Sequence, residues 1–170
     1  LDIDERIEDA ARRELREETG LDLDGPIYAI GVFGEPGRDP RGRTISLAHA
    51  TAVRWPPPRV VGGDDATEAS WRPVEGLAEL AFDHDAILAD ALSWLVIAVE
   101  VGPVGLDLLP PEFTDAEVKA LHRALGLPEA DAPAWRQRLL QEGQIHALGG
   151  RPRRFRAVDP EEEPGEPDPT

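Results

Sequence analysis

The chain has 170 residues with 34 acidic against 18 basic side chains, enough for one medium domain or one domain beside a small module. It holds no cysteine, which excludes a disulfide framework and a thiolate metal site. No apolar run nears the roughly 20 residues that span a bilayer. The charged opening Leu-Asp-Ile-Asp-Glu-Arg has no signal-peptide core, so a cytoplasmic protein without a membrane partner is expected.

The net charge of −16 is unevenly spread. Residues 1–100 hold 21 acids and 10 bases, residues 101–158 hold 7 and 8, and residues 159–170 hold six acids and no base. Whole-chain acidity argues against a nucleic-acid partner, whereas the second segment alone does not.

In chain order, Ile3–Leu21 reads as a helix, with Ile7, Ala11, Leu15 and, at its margin, Ala10 on one face, Gly20 as its stop and Leu21 folding back. Ile27–Phe33 and Thr44–Arg54 read as strands around a loop dense in Gly, Pro and Arg. Trp55-Pro56-Pro57-Pro58 ends the second of them, and Ala69–Val74 reads as a further short strand. Asp85–Glu100 is a long helix, and Pro103 with Pro110-Pro111 marks a boundary. Beyond it, Thr114–Leu125 reads as a helix capped by Thr114 with Glu117 three positions on. Ala132–Glu142 is a second helix closed by Gly143, and Gln144–Leu148 and Arg154–Val158 are short strands. Helix, helix, strand, turn, strand is the order of a winged helix-turn-helix. The Glu/Pro-rich tail from Asp159 is expected to be disordered.

The sharpest signal lies in the first helix. Glu14, Glu17 and Glu18 stand at i, i+3 and i+4, which gathers their carboxylates on one face. That crowding is unfavourable without a cation and suits Mg²⁺ or Mn²⁺, which keep waters and accept substrate phosphates as further ligands. A solvated Glu/Arg face is the ordinary alternative for three glutamates alone. The histidines His49, His84, His122 and His146 show no ligand spacing and read as structural.

The surrounding pattern favours the metal reading. Glu5, seven residues, then Arg13-Glu14-Leu15-Arg16-Glu17-Glu18-Thr19-Gly20-Leu21 resembles the Nudix box. The box glycine belongs six positions before Glu5, ahead of Leu1, and the strands that usually precede the box are missing too. The chain holds no methionine, and a truncated N-terminus is expected. The resemblance implies a Nudix α/β/α sandwich, lacking its N-terminal part, over residues 1–100. A linker at 101–110, a small winged-helix α+β domain at 111–158 and the tail at 159–170 would follow.

It also implies roles. Glu14, Glu17 and Glu18 would bind Mg²⁺ or Mn²⁺, Arg13 would orient them, and Glu5 would brace the preceding loop. The run Phe33–Arg43 looks like the substrate loop of Nudix proteins acting on ADP-ribose, with Arg38, Arg41 and Arg43 available for a pyrophosphate or a base; a solvated basic loop is the alternative. Glu68 or Asp65 could serve as general base on the attacking water. The expected activity is hydrolysis of a nucleoside diphosphate linked to another group, with ADP-ribose first.

Residues from about Gly105 resemble the winged helix attached to Nudix-related transcriptional regulators of NAD metabolism. Six arginines against Glu142 alone lie between Arg136 and Arg156, a footprint for DNA phosphates. Arg136, Arg138, Arg151, Arg153 and Arg154 are the expected contacts, with dimerisation or packing as the alternative role of this module. The rival function is an ADP-ribose-sensing, DNA-binding regulator, and the resemblance further implies a homodimer.

Overall fold

A computed structural model of the chain describes residues 3–62 and 69–158. Helix α1 spans Ile7–Thr19, with Glu8 and Asp9 in its first turn and Arg16 in its last, both favourable to the helix dipole. Gly20 takes φ 70° and returns its N–H to the Arg16 carbonyl at 2.9 Å. A left-handed residue there suits glycine, and Leu21 beyond it folds back and is buried. Helix α1 begins four residues later than Ile3, and Ala10 rather than Ile7 is its buried position.

Strands β1 (Tyr28–Phe33) and β2 (Ser46–Ala50) pair antiparallel, Tyr28 opposite Ala50 and Phe33 opposite Ser46, with a bulge between Ala29 and Gly31. The second strand is shorter than the expected Thr44–Arg54. Past its end, the Thr51 hydroxyl donates to the Pro26 carbonyl at 2.8 Å. The strand expected at Ala69–Val74 does not form; Trp71 reaches the Pro58 carbonyl through its indole N–H at 2.7 Å rather than through a backbone ladder. Helix α2 runs over His84–Val101, and its Trp94 ring lies 5.0 Å from that of Tyr28 on β1.

The chain divides into two compact units, Leu1–Leu95 and Val96–Thr170. In the second, the stretch 101–110 carries a 3-10 turn at Pro103–Leu106 and buries Val104 and Leu109. Its prolines end α2 without ending the packing. Gly105 lies so close to Trp135 that a Cβ would sit 2.8 Å from Cζ2, while the Trp135 indole N–H donates to the Val99 carbonyl at 2.6 Å.

Glu112–Thr114 forms a strand, β3, before α3 (Asp115–Ala124) and α4 (Ala132–Gln141); β4 (Ile145–Leu148) and β5 (Arg154–Ala157) follow. The expected cap is present: the Glu117 carboxylate accepts the Thr114 backbone N–H at 2.6 Å and its hydroxyl at 2.9 Å. The sheet order is β3-β5-β4, and Phe113 faces Phe155 across it with both rings buried. Val118, Trp135, Leu139 and Ile145 complete the core. Three strands and two helices make the winged-helix order. Strand β3 is too short for a period-two pattern to announce it. The acidic tail from Asp159 lies outside the described residues.

Candidate active site

Helix α1 sets the glutamates by its periodicity alone, and the structure then separates them. Glu14 and Glu18, one turn apart, line a cleft of about 260 Å³ whose other walls include Leu15, Leu47, His49 and Thr51. Glu17 is engaged by Arg13, whose Nη1 donates to Glu17 Oε2 at 2.9 Å, while Nη2 of the same guanidinium lies 3.7 Å from Glu14 Oε1. The same guanidinium forks onto Glu5, Nε to Oε1 at 2.8 Å and Nη2 to Oε2 at 3.0 Å. Hydrogen bonding to Glu5 first, then the charges of Glu5 and Glu17, raises the Arg13 pKa further above its already high ordinary value. Arg13 thus links Glu5, two residues ahead of α1, to the carboxylate face, as arginine's planar fork permits and lysine's point charge does not.

Among the described residues no three His, Asp or Glu side chains converge closely enough to hold a metal ion. The donor set nevertheless fits a hard divalent cation. Mg²⁺ in phosphate chemistry is commonly held by one or two carboxylates, with water and phosphate oxygens completing its shell, and Glu14 and Glu18 share one cleft.

The three loop arginines have different fates. Arg38, whose side chain is 8% exposed, forks onto Asp83, Nε to Oδ2 at 2.6 Å and Nη2 to Oδ1 at 2.7 Å, and its Nη1 donates to Ser46 Oγ at 2.7 Å. It ties the loop to the entry of α2 rather than facing solvent. Arg41 is exposed, held by Asp39 at 2.8 Å, and its Cζ lies 5.4 Å from the Phe82 ring centroid. Arg43 is exposed and donates to the Gly34 carbonyl. Side-chain hydrogen bonding from Arg41, reinforced by its backbone N–H, lowers the Asp39 pKa to about 2. Phe82 has φ 57°, a left-handed conformation that is rare for a bulky residue and costs about 1–3 kcal/mol.

Asp65 and Glu68 lie outside the described residues. Sequence reasoning missed Asp83, which sits far from any motif, and Arg12, which donates to the carbonyls of Leu23 and Gly25 and so fastens the turn after α1. It also set aside His49, which the strand's alternation turns into the cleft.

In the second unit, Arg136 is largely buried, stacked 4.8 Å from the Phe155 centroid and ion-paired with Asp115 at 2.6 Å. Arg138 donates to the Glu100 carbonyl at 2.6 Å near the end of α2. Arg154 pairs with Glu112 at 2.7 Å, and Arg156 pairs with the same carboxylate, holding its pKa below the usual range. Arg151 and Arg153 are exposed in the turn between β4 and β5. No helix among the described residues is long and apolar enough to cross a membrane.

The chain is 38% identical over 94 residues to an ADP-ribose pyrophosphatase of Methanocaldococcus jannaschii, covering 55% of this chain and 54% of that protein. It is 24% identical over 148 residues to the ADPR responsive transcriptional repressor NtrR of Acinetobacter baylyi, covering 85% and 58%. The chain therefore spans little more than half the length of these curated relatives. Among solved structures, a MutT/nudix family protein from Enterococcus faecalis superposes with a TM-score of 0.73 at 25% identity, over 93% of this chain and 71% of that one. Shewanella oneidensis NrtR superposes with a TM-score of 0.72 at 22% identity, over 94% and 77%, and has also been solved with a 27mer DNA. The second likeness bears on the fold alone, a Nudix fold with an added C-terminal domain. The NUDIX domain model matches residues 1–95, the same stretch that carries α1 and its glutamates, and the chain belongs to the Nudix family.

Proposed function

We propose that the chain carries the catalytic helix of a divalent-metal-dependent pyrophosphohydrolase that cleaves a nucleoside diphosphate linked to another group, ADP-ribose being the first substrate to test. The observation that carries this reading is the pairing of Glu14 and Glu18 on one wall of a cleft, beside a Glu17 aimed by Arg13. The relative named for ADP-ribose pyrophosphatase supports it.

Glu14, Glu17 and Glu18 would hold Mg²⁺ or Mn²⁺, which when bound supplies Lewis acidity toward the phosphates and lowers the pKa of a coordinated water. Arg13 fixes the rotamer of Glu17 and couples it to Glu5. Arg41 and Arg43, exposed on the loop, meet the negative charge of the pyrophosphate. Arg38 holds that loop in place through Asp83 and Ser46. Glu68, or Asp65, is the residue to test as general base. Water adds to one phosphorus, the bridging P–O bond breaks, and from ADP-ribose the products are AMP and ribose 5-phosphate.

The test is product release from ADP-ribose with Mg²⁺, comparing the chain with Glu17→Gln. Turnover lost in the variant supports the hydrolase. A chain that binds ADP-ribose without turnover moves the assignment to ligand sensing.

A second reading is favoured by the three-stranded wing and by the repressor relative: the C-terminal unit contacts DNA. Arg136, Arg138 and Arg154 already have carboxylate or carbonyl partners within the chain, so phosphate contact falls first to Arg151 in the wing and to the exposed Arg153, whose Cζ lies 6.0 Å from the Phe155 centroid. A homodimer, which would present two wings to a symmetric site, belongs to the same proposal. A mobility shift at stated salt tests it, and the absence of a specific complex would sink it.

A further inference from the structure

Four side chains of α1, Ala11, Glu14, Leu15 and Glu18, stand at i, i+3, i+4 and i+7 and form one wall of the glutamate cleft. The other wall is β2 and its continuation, where alternation sends Leu47, His49 and Thr51 to the same side. Ile27 and Ala50 complete the lining, so its polar side chains are two glutamates, a histidine and a threonine. Arg41 and Arg43 belong to the loop and do not line this cleft.

A pyrophosphate seated here, beside a cation on Glu14 and Glu18, has more oxygens than that cation covers. The remaining oxygens are anionic acceptors, and enclosing them without a donor is costly. Carboxylates cannot donate. The Thr51 hydroxyl commits its hydrogen to the Pro26 carbonyl at 2.8 Å. His49 remains. Its imidazole is half-buried, and among the described residues it has no hydrogen bond, ion pair or ring contact. Either neutral tautomer presents one N–H, so the ring brings an uncommitted donor into a cleft that otherwise offers only acceptors.

We infer that His49 is a phosphate-binding residue: its imidazole N–H donates to an oxygen of the pyrophosphate and sets where the phosphates lie against the glutamate wall. This rests on the hydrolase reading for the identity of the site but not on turnover. The ring acts on the substrate and not as a third metal ligand, since among the described residues no three His, Asp or Glu side chains converge closely enough to hold an ion.

The test uses the whole chain and three variants, His49→Ala, His49→Asn and His49→Gln. Calorimetry gives Kd for inorganic pyrophosphate with Mg²⁺, and electron paramagnetic resonance gives Kd for Mn²⁺ alone. His49→Ala should weaken pyrophosphate roughly ten- to a hundredfold, as expected for a hydrogen bond to a charged group, while Mn²⁺ changes less than twofold. Asparagine sets an amide N–H near the place of Nδ1 and glutamine near that of Nε2, so one of these two should recover most of the affinity. Unchanged pyrophosphate binding in His49→Ala would overturn the assignment, as would a wild-type chain that binds no pyrophosphate. An equal loss for Mn²⁺ would place His49 among the metal ligands instead, and recovery by neither amide would assign the loss to packing. Failure of the hydrolase reading looks different: pyrophosphate held through His49 with no nucleoside diphosphate turned over. Conversely, turnover by the wild type with KM unmoved in His49→Ala would sink His49 and leave the hydrolase.

Discussion

Arg38 meets Asp83 across 45 residues of sequence in a two-pronged ion pair, Nε to Oδ2 at 2.6 Å and Nη2 to Oδ1 at 2.7 Å. The pair joins the Gly/Pro/Arg loop to the entry of α2, and hydrogen bonding from Arg38 lowers the Asp83 pKa. Breaking it by Asp83→Ala leaves a nearly enclosed guanidinium without its carboxylate. Removing one partner of such a pair is more harmful than removing both. The Arg38 and Gly42 amides, which close turns within the loop, should then exchange with solvent faster than in the wild type, while exchange in the second unit is unchanged. Uniform exchange throughout would assign the pair no role in ordering the loop.

Arg13 invites a sharper test because it touches carboxylates rather than substrate. With Arg13→Gln the fork onto Glu5 is lost and Glu17 is released from its hydrogen bond. Groups that orient metal ligands are typically worth about 10–100-fold in metal affinity or activity. The Mg²⁺ concentration for half-maximal turnover should rise within that range, with KM for the nucleotide little changed. A rise in KM at unaltered Mg²⁺ dependence would place Arg13 on the substrate side instead.

Much of this was legible in the chain itself because it rests on local rules. The stop at Gly20, the Thr114–Glu117 cap and the helix-helix-strand-strand order of the second unit each follow from spacing a few residues long. What was not legible depends on partners distant in sequence. Arg38 reads as a substrate arginine until Asp83 is seen to engage it, and Arg136 and Arg138 read as recognition arginines until Asp115 and the Glu100 carbonyl are seen beside them. Charge counts a side chain as available, whereas folding decides what it is already bound to. The strand expected at Ala69–Val74 failed for a related reason. β-propensity describes fitness for a ladder, and no neighbouring strand among the described residues offers one.

Gly105 is a packing prediction. Its missing Cβ would lie 2.8 Å from Trp135 Cζ2 and 3.1 Å from Val99 Cγ1, so Gly105→Ala must push the indole away from the Val99 carbonyl it donates to. Overpacking of this kind costs about 1–3 kcal/mol. The second unit should unfold at lower denaturant. A variant as stable as the wild type would mean that the indole shifts freely.

The pH dependence follows from Asp39, whose pKa is lowered to about 2 chiefly by hydrogen bonding from Arg41. Because the folded value lies below the ordinary carboxylate value of roughly 3.9, the Asp39–Arg41 contact contributes its full stabilisation above about pH 5. That contribution is lost as pH falls toward 2. Ordering of the loop should therefore be insensitive to pH near neutrality and decline only in strong acid. The Asp39 carboxyl ¹³C shift, followed by NMR, should titrate near pH 2 in the wild type and near 4 in Arg41→Ala. Identical midpoints would dissolve the pair.

The wing carries the last prediction, which depends on the DNA reading. Arg151 and Arg153 are exposed between β4 and β5, whereas Arg154 is held by Glu112. If phosphates are met there, Arg151→Ala and Arg153→Ala should each weaken binding to every duplex sequence alike, and each should reduce the slope of log K against log salt by about 1. Arg138→Ala should act differently. It removes a donor to the Glu100 carbonyl, so its effect should appear as lost stability of the second unit with the salt slope preserved. A reduced salt slope in Arg138→Ala, with none in the two wing variants, would move the contact surface from the wing to α4.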